Sequence, residues 1–208
     1  MLHSSKILLA GIAAAFLALP ALGQGVSSGG SSSSGGATVD IILSDTLTMA
    51  ATGVAHAAGT ALCDNAATAC AVAQKGIFAF ALGQTAPTSG NIIGTRLLLN
   101  NTSLTGASFY IDWYTAAPTM TGIHDASAYS PLWADRAAFV GSSVCSSAVA
   151  NSDNVSVTCP FENAVATLPF KSTLGTLYAV LRTNPTNVSS YTATNSQPVL
   201  MQAAFQVP

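Results

Sequence analysis

Charge is what this sequence has least of. Only six lysines and arginines and eight aspartates and glutamates occur in 208 residues, and Glu162 is the one glutamate. An ordinary domain carries about a quarter of its residues charged. The shortage excludes functions in turn. Without a basic stripe there is no electrostatic footprint for nucleic acid. With His56 and His124 the only histidines beyond position 3, general acid–base chemistry has few candidates. No Gly-x-Ser-x-Gly elbow, phosphate-cradling glycine loop or dinucleotide fingerprint occurs. Cys-x-x-Cys spacing is missing too, which argues against zinc. No metal or other cofactor is expected, and an enzyme is not the expectation. Paired carboxylates for glycoside hydrolysis would have to come from Asp112 and Asp135. Asp135-Arg136 reads better as a local ion pair or turn cap. His124-Asp125 reads as a loop pair, and His56 with Asp64 lacks metal-ligand spacing.

Long apolar runs are also few. The main one, Ile7–Leu19, follows Lys6 and precedes Ala21-Leu22-Gly23. A basic start, a short apolar run and small residues at the −3 and −1 positions describe a cleavable export signal over residues 1–23. The run is too short for the roughly 20 residues a bilayer needs, so no membrane span is expected after cleavage. No cysteine follows it to take a lipid. Residues 24–36 are almost wholly Ser and Gly and read as a flexible linker. A single domain is then expected over 37–208, about 170 residues and enough for a proper core.

What the sequence does contain is β-patterned. Segments of strand character recur at Val39–Met49, Gly76–Leu82, Ile92–Leu99, Ala107–Thr115, Asn154–Cys159, Val165–Phe170, Thr176–Arg182 and Pro198–Val207, with Gly, Pro, Asn and Ser between them. About eight short strands predict an all-β fold, an antiparallel β-sandwich or jelly roll. Short helix is invited only at Asp135–Val140 and in the Ala-rich stretch from Ala50 to Ala73. Within Phe109-Tyr110-Ile111-Asp112-Trp113-Tyr114, alternation sets Phe109, Ile111 and Trp113 on one face and Tyr110, Asp112 and Tyr114 on the other. The second trio is the candidate binding face: two aromatics beside a carboxylate suit a sugar or a protein partner. The rival reading covers that face with a further layer.

The four cysteines, Cys63, Cys70, Cys145 and Cys159, form an even set in a chain marked for export, which favours two disulfides. Three pairings exist. Cys63–Cys70 and Cys145–Cys159 are preferred because each pair brackets a Ser/Ala/Asn-rich segment.

From about Gly90 onward, several elements stand in a recurring order. They are the aromatic-rich run Gly106–Pro118, the loop Ile123-His124-Asp125-Ala126-Ser127-Ala128-Tyr129, and Ala134-Asp135-Arg136-Ala137-Ala138-Phe139-Val140-Gly141. Leu168-Pro169-Phe170-Lys171 then leads into Gly175-Thr176-Leu177-Tyr178-Ala179-Val180-Leu181. In this order the chain resembles a family of structural proteins of tailed-phage virions, of the minor head or decoration type. The resemblance implies a β-sandwich that packs into a larger particle, with no catalytic residues to carry over. The sequence as a whole therefore points to an exported structural protein of a virion or cell-surface assembly. Its partners would be proteins, including itself, and the alternative is a secreted adhesive module that binds glycans.

Overall fold

Period-two alternation of apolar and small polar residues fixes which elements form. A computed structural model of the protein describes residues 38–49, 55–63, 70, 76–84, 88–100, 105–121, 123–146, 148–150, 154–184, 191–192 and 197–208. The expected signal and linker, residues 1–23 and 24–36, lie outside the described residues. The strands are β1 (Val39–Met49), β2 (Ala55–His56), β3 (Phe78–Ala81), β4 (Thr88–Leu99), β5 (Phe109–Tyr114), β6 (Phe139–Cys145), β7 (Val149–Ala150), β8 (Val155–Thr158), β9 (Leu168–Ser172), β10 (Thr176–Thr183), β11 (Tyr191–Thr192) and β12 (Gln197–Val207). Each of the eight segments read from the sequence overlaps one of them, although β4, β9, β10 and β12 extend beyond the expected bounds.

Two antiparallel sheets carry the fold. The six-stranded sheet runs β1-β12-β4-β8-β7, with β9 paired to the first half of β4 where β8 takes the second half. The four-stranded sheet runs β3-β10-β5-β6. The result is a β-sandwich. Strand β12 shows why alternation suffices: Val199, Met201, Ala203, Phe205 and Val207 are all buried, while the residues between them stay partly open. In β4 the parity changes, since Ile92 is buried and so are Thr95, Leu97 and Leu99. A register shift between Ala204 and Phe205 of β12 absorbs the extra residue, and this bulge keeps apolar side chains inward on both halves of the strand.

The two sheets meet through aromatic rings. Trp113 lies 5.6 Å from Phe80 and 6.2 Å from Phe205, centroid to centroid, and Phe170 sits edge-on to Phe205 at 6.4 Å. Burying each such ring is worth about 1.5–3 kcal/mol relative to exposure. The indole N–H of Trp113, which burial would otherwise strand, donates to Ser143 Oγ at 2.9 Å.

Both preferred disulfides form, and they do different work. Cys145 ends β6 in the four-stranded sheet and Cys159 follows β8 in the six-stranded one, so their bond ties the layers together. Cys63–Cys70 instead ties down a segment beside β10, where Leu62 N donates to Leu181 O. Two disulfides place the folded protein in a non-reducing environment.

One expectation needs correction. Asp135–Val140 is not helix: Trp133–Asp135 forms a single 3-10 turn and Phe139–Val140 already belong to β6. Val140 is the extra residue of a bulge opposite Trp113 and Tyr114. Gly141 permits it, with φ of 153° and space for a Cβ only at 3.0 Å from Leu168 Cδ2. In the stretch from Ala50 to Ala73 the described residues contain β2 and turns, without helix.

Candidate functional site

Alternation in β5 places Phe109, Ile111 and Trp113 in the core, as read from the sequence. The opposite trio departs from expectation. Asp112 and Tyr114 are fully buried and only Tyr110 is half-buried. The expected open binding face of Tyr110, Asp112 and Tyr114 is therefore corrected: a further layer covers two of its three members.

The cover has named parts. Register sets Arg182 of β10 opposite Tyr110, next to the Val180–Asp112 pair. Its guanidinium reaches Asp112 with Nε at 2.6 Å from Oδ2 and Nη2 at 3.2 Å from Oδ1. Ser142 of β6 donates to Asp112 Oδ1 at 2.6 Å. The same guanidinium lies 4.5 Å above the Tyr110 ring, a cation–π arrangement. Every polar atom of the carboxylate is thus engaged, which a buried charge requires. Burial alone would lower the Arg182 pKa, but the hydrogen bonds and charge of Asp112 outweigh it and hold the group above its ordinary value. The Tyr110 phenol is pushed up by burial, then by the charge of Glu162 and a hydrogen bond to it.

Tyr114 is covered separately. Its hydroxyl meets that of Tyr129 at 2.8 Å, and Phe139 packs edge-on against its ring at 5.4 Å. Burial, then the bond to Tyr129, raises the Tyr114 pKa far above the usual tyrosine range. Burial pushes Tyr129 up to about 12, with its bond to Tyr114 pulling the other way. Tyr129 is carried by a loop that joins the sheet's flank: Tyr129 N donates to Gly59 O and Ala61 N to Ser127 O. Ala61 in turn bridges Arg182.

The histidines and remaining acids divide differently from their order in the sequence. Asp125 is not paired with adjacent His124. Its Oδ1 accepts from Cys63 N at 2.9 Å and lies 2.9 Å from His56 Nε2, with both side chains fully buried. The pair thus ties the Asp125 loop to β2 and to Cys63. Asp112 is fully buried against Arg182 and Ser142, so it does not open onto a cleft shared with Asp135. Asp135 accepts from Thr119 N and Thr119 Oγ1, each at 3.0 Å, so it caps a turn. Arg136 turns to Trp133 O at 2.7 Å and stacks over the Trp133 ring at 4.3 Å. Asp64 lies outside the described residues. Among the described residues no three His, Cys, Asp or Glu side chains gather as a metal site would need, and no helix is long and apolar enough to cross a membrane.

The six-stranded sheet contrasts with this buried cluster. Two shallow grooves mark its outward side: one of about 170 Å³ beside Leu98, Asn100, Asn154, Pro198 and Leu200, another of about 250 Å³ beside Ile42, Gly94, Arg96, Thr158 and Gln202. Ile42 is 74% exposed there, and on the loop before β6 Trp133 is 79% exposed. Sequence reasoning missed Trp133, although a tryptophan between Leu132 and a capped turn was a readable sign.

Scans against protein-family models and against curated proteins find no match to this chain.

Proposed function

We propose that this chain is a non-enzymatic structural protein, exported and displayed on a virion or cell-surface assembly, where it acts by packing against other proteins. The observation that carries this reading is where the charge went. Asp112, Arg182 and Asp125 are buried, which leaves the exterior short of ions. Exposed apolar groups such as Ile42 and Trp133 stand on a largely neutral surface, and the cores of protein interfaces are likewise depleted of charge and enriched in aromatics and Arg. Trp133 carries Arg136 stacked on its ring, and tryptophan and arginine are both enriched at the energetic centres of interfaces. The two disulfides support export, as do the signal-like start and Ser/Gly linker of the sequence. The resemblance of its sequence elements, in their order, to tailed-phage structural proteins favours the virion.

The test is recovery of the native source material. Gradient-purified particles or surface fractions should contain the protein in fixed stoichiometry, and its mature N-terminus should be Gln24. A protein that stays free of every assembly overturns the reading.

A further inference from the structure

Strand β1 ends the six-stranded sheet and hydrogen-bonds on one side only, to β12, among the described residues. Its free edge has two halves. Asp45 closes one: its Oδ1 takes Thr46 N at 2.8 Å and its Oδ2 takes Ala79 N of β3 at 2.9 Å. The other half, Val39–Ser44, has no such closure among the described residues. Long, exposed edges invite pairing with a further strand, and folded proteins normally blunt them with charge, proline or a bulge. Here the register against β12 runs without interruption from Val39 to Met49, and Asp40 is the one charge in the open half.

Backbone polarity fixes what this edge accepts. Asn100 N donates to Pro198 O, so the even residues of β12 face β4 and its odd residues face β1. Alternation then turns the N–H and C=O of Asp40, Ile42 and Ser44 outward. We propose that this edge pairs with the same edge of a second copy, antiparallel about a two-fold axis through Ile42, so that two sheets become one of twelve strands. The inference deepens the packing role proposed above by naming the partner.

Charge selects the register. Centring on Ile42 sets Ile42 against Ile42 of the second copy and Asp40 against Ser44 of the second copy. Centring on Asp40 would oppose two carboxylates, which is destabilising. The same register sets Ile41 against Leu43 of the second copy; both are only partly buried against the core in the single chain, and pairing completes their cover. The two exposed Ile42 side chains meet on the outer face. The match is self-complementary, as a two-fold contact must be.

Sedimentation of the purified, disulfide-intact protein over a range of concentrations should show a monomer–dimer equilibrium. Ile42→Lys, at a solvent-exposed position, should leave the thermal melt of the dilute monomer unchanged and weaken dimerisation about 100-fold, the scale of a central interface residue. Ile42→Cys reports the register itself. All four native cysteines are paired, and facing Cα atoms in a hydrogen-bonded pair lie about 5.5 Å apart, within disulfide reach. Mild oxidation of the Ile42→Cys variant should therefore yield a covalent dimer joined only through position 42. A strictly monomeric protein overturns the inference, and so does a dimer indifferent to Ile42→Lys in which the thiol introduced by Ile42→Cys stays free. A monomer that still copurifies with particles defeats this edge pairing alone, whereas an edge-paired dimer absent from every assembly defeats the broader role and leaves the pairing standing.

Discussion

The outer side of the four-stranded sheet lies under the segments around Ala61 and Tyr129 and holds an ion pair, a tyrosine pair and a stacked arginine. The outer side of the six-stranded sheet carries Ser44, Thr46, Thr48, Arg96 and Ile42 in the open. Both sheets alternate with period two, so alternation alone does not say whether the second face meets water. What separates them is the chemistry of the second face. Asp112 and Arg182 face neighbouring strands at matching depth, and a covered carboxylate needs such a counter-charge; the exposed strands offer hydroxyls that water satisfies.

Removing one partner of the covered pair should give the largest effect. Arg182→Met leaves Asp112 buried and unpaired, and a loss of about 3–5 kcal/mol is expected by urea unfolding. A double change, Asp112→Leu with Arg182→Met, should recover a large part of it, because no charge then remains to desolvate. A double mutant no more stable than Arg182→Met would show that the cluster acts through packing instead. Next comes the bond between the layers. Replacing Cys145 and Cys159 with alanine should cost about 3 kcal/mol by the loop-entropy estimate for some 15 residues, read as a lowered denaturation midpoint.

The tyrosine pair should produce a smaller and pH-dependent effect. Unfolded tyrosine ionises near 10, whereas Tyr129 is held up to about 12 and Tyr114 higher. The folded state therefore keeps protons that the unfolded state has lost. Its advantage is complete below pH 10 and declines as pH rises through 10 toward 12 and beyond. Urea midpoints at pH 9 and pH 11 should fall in that order, and Tyr114→Phe at neutral pH should cost about 1 kcal/mol. Equal midpoints would mean that the pair is open to water. Smallest of all, Ser44→Ala and Thr46→Ala on the bare sheet should stay within about 0.5 kcal/mol; a larger loss would erase the contrast between the two faces.

The same contrast explains what could be read in advance. Long strands such as β1 and β12 were legible because their pattern is local, and β1 spans the residues expected of it. Strand β6 was hidden: Gly141-Ser142-Ser143 has low strand preference, and Asp135–Val140 reads as helix by propensity. Its place comes from pairing with β5, a tertiary effect. The two-residue strands β2, β7 and β11 are too short to carry a pattern. The disulfides were legible from the Ser/Ala/Asn-rich segments each pair brackets, whereas the Asp112–Arg182 and His56–Asp125 pairs were not, since 70 and 69 residues separate their members. Both segments 109–114 and 177–182 alternate in the sequence, yet only the register of β5 against β10 brings the one acid of the first beside the one base of the second.

The pairing of β1 with β12 from Val39↔Val207 to Met49↔Gln197 also has a mechanical meaning. Traction applied between Val39 and Val207 would strain the pairs one after another, so the two strands would unzip at low force. Traction between Met49 and Val207, at opposite ends of the neighbouring strands, would load the whole row in shear and meet much higher resistance. The Cys145–Cys159 bond lies outside the β1–β12 ladder and shields it from neither load. A pull between Val39 and Gln197, which also lie at opposite ends of the two strands, would likewise be shared by all eleven pairs at once.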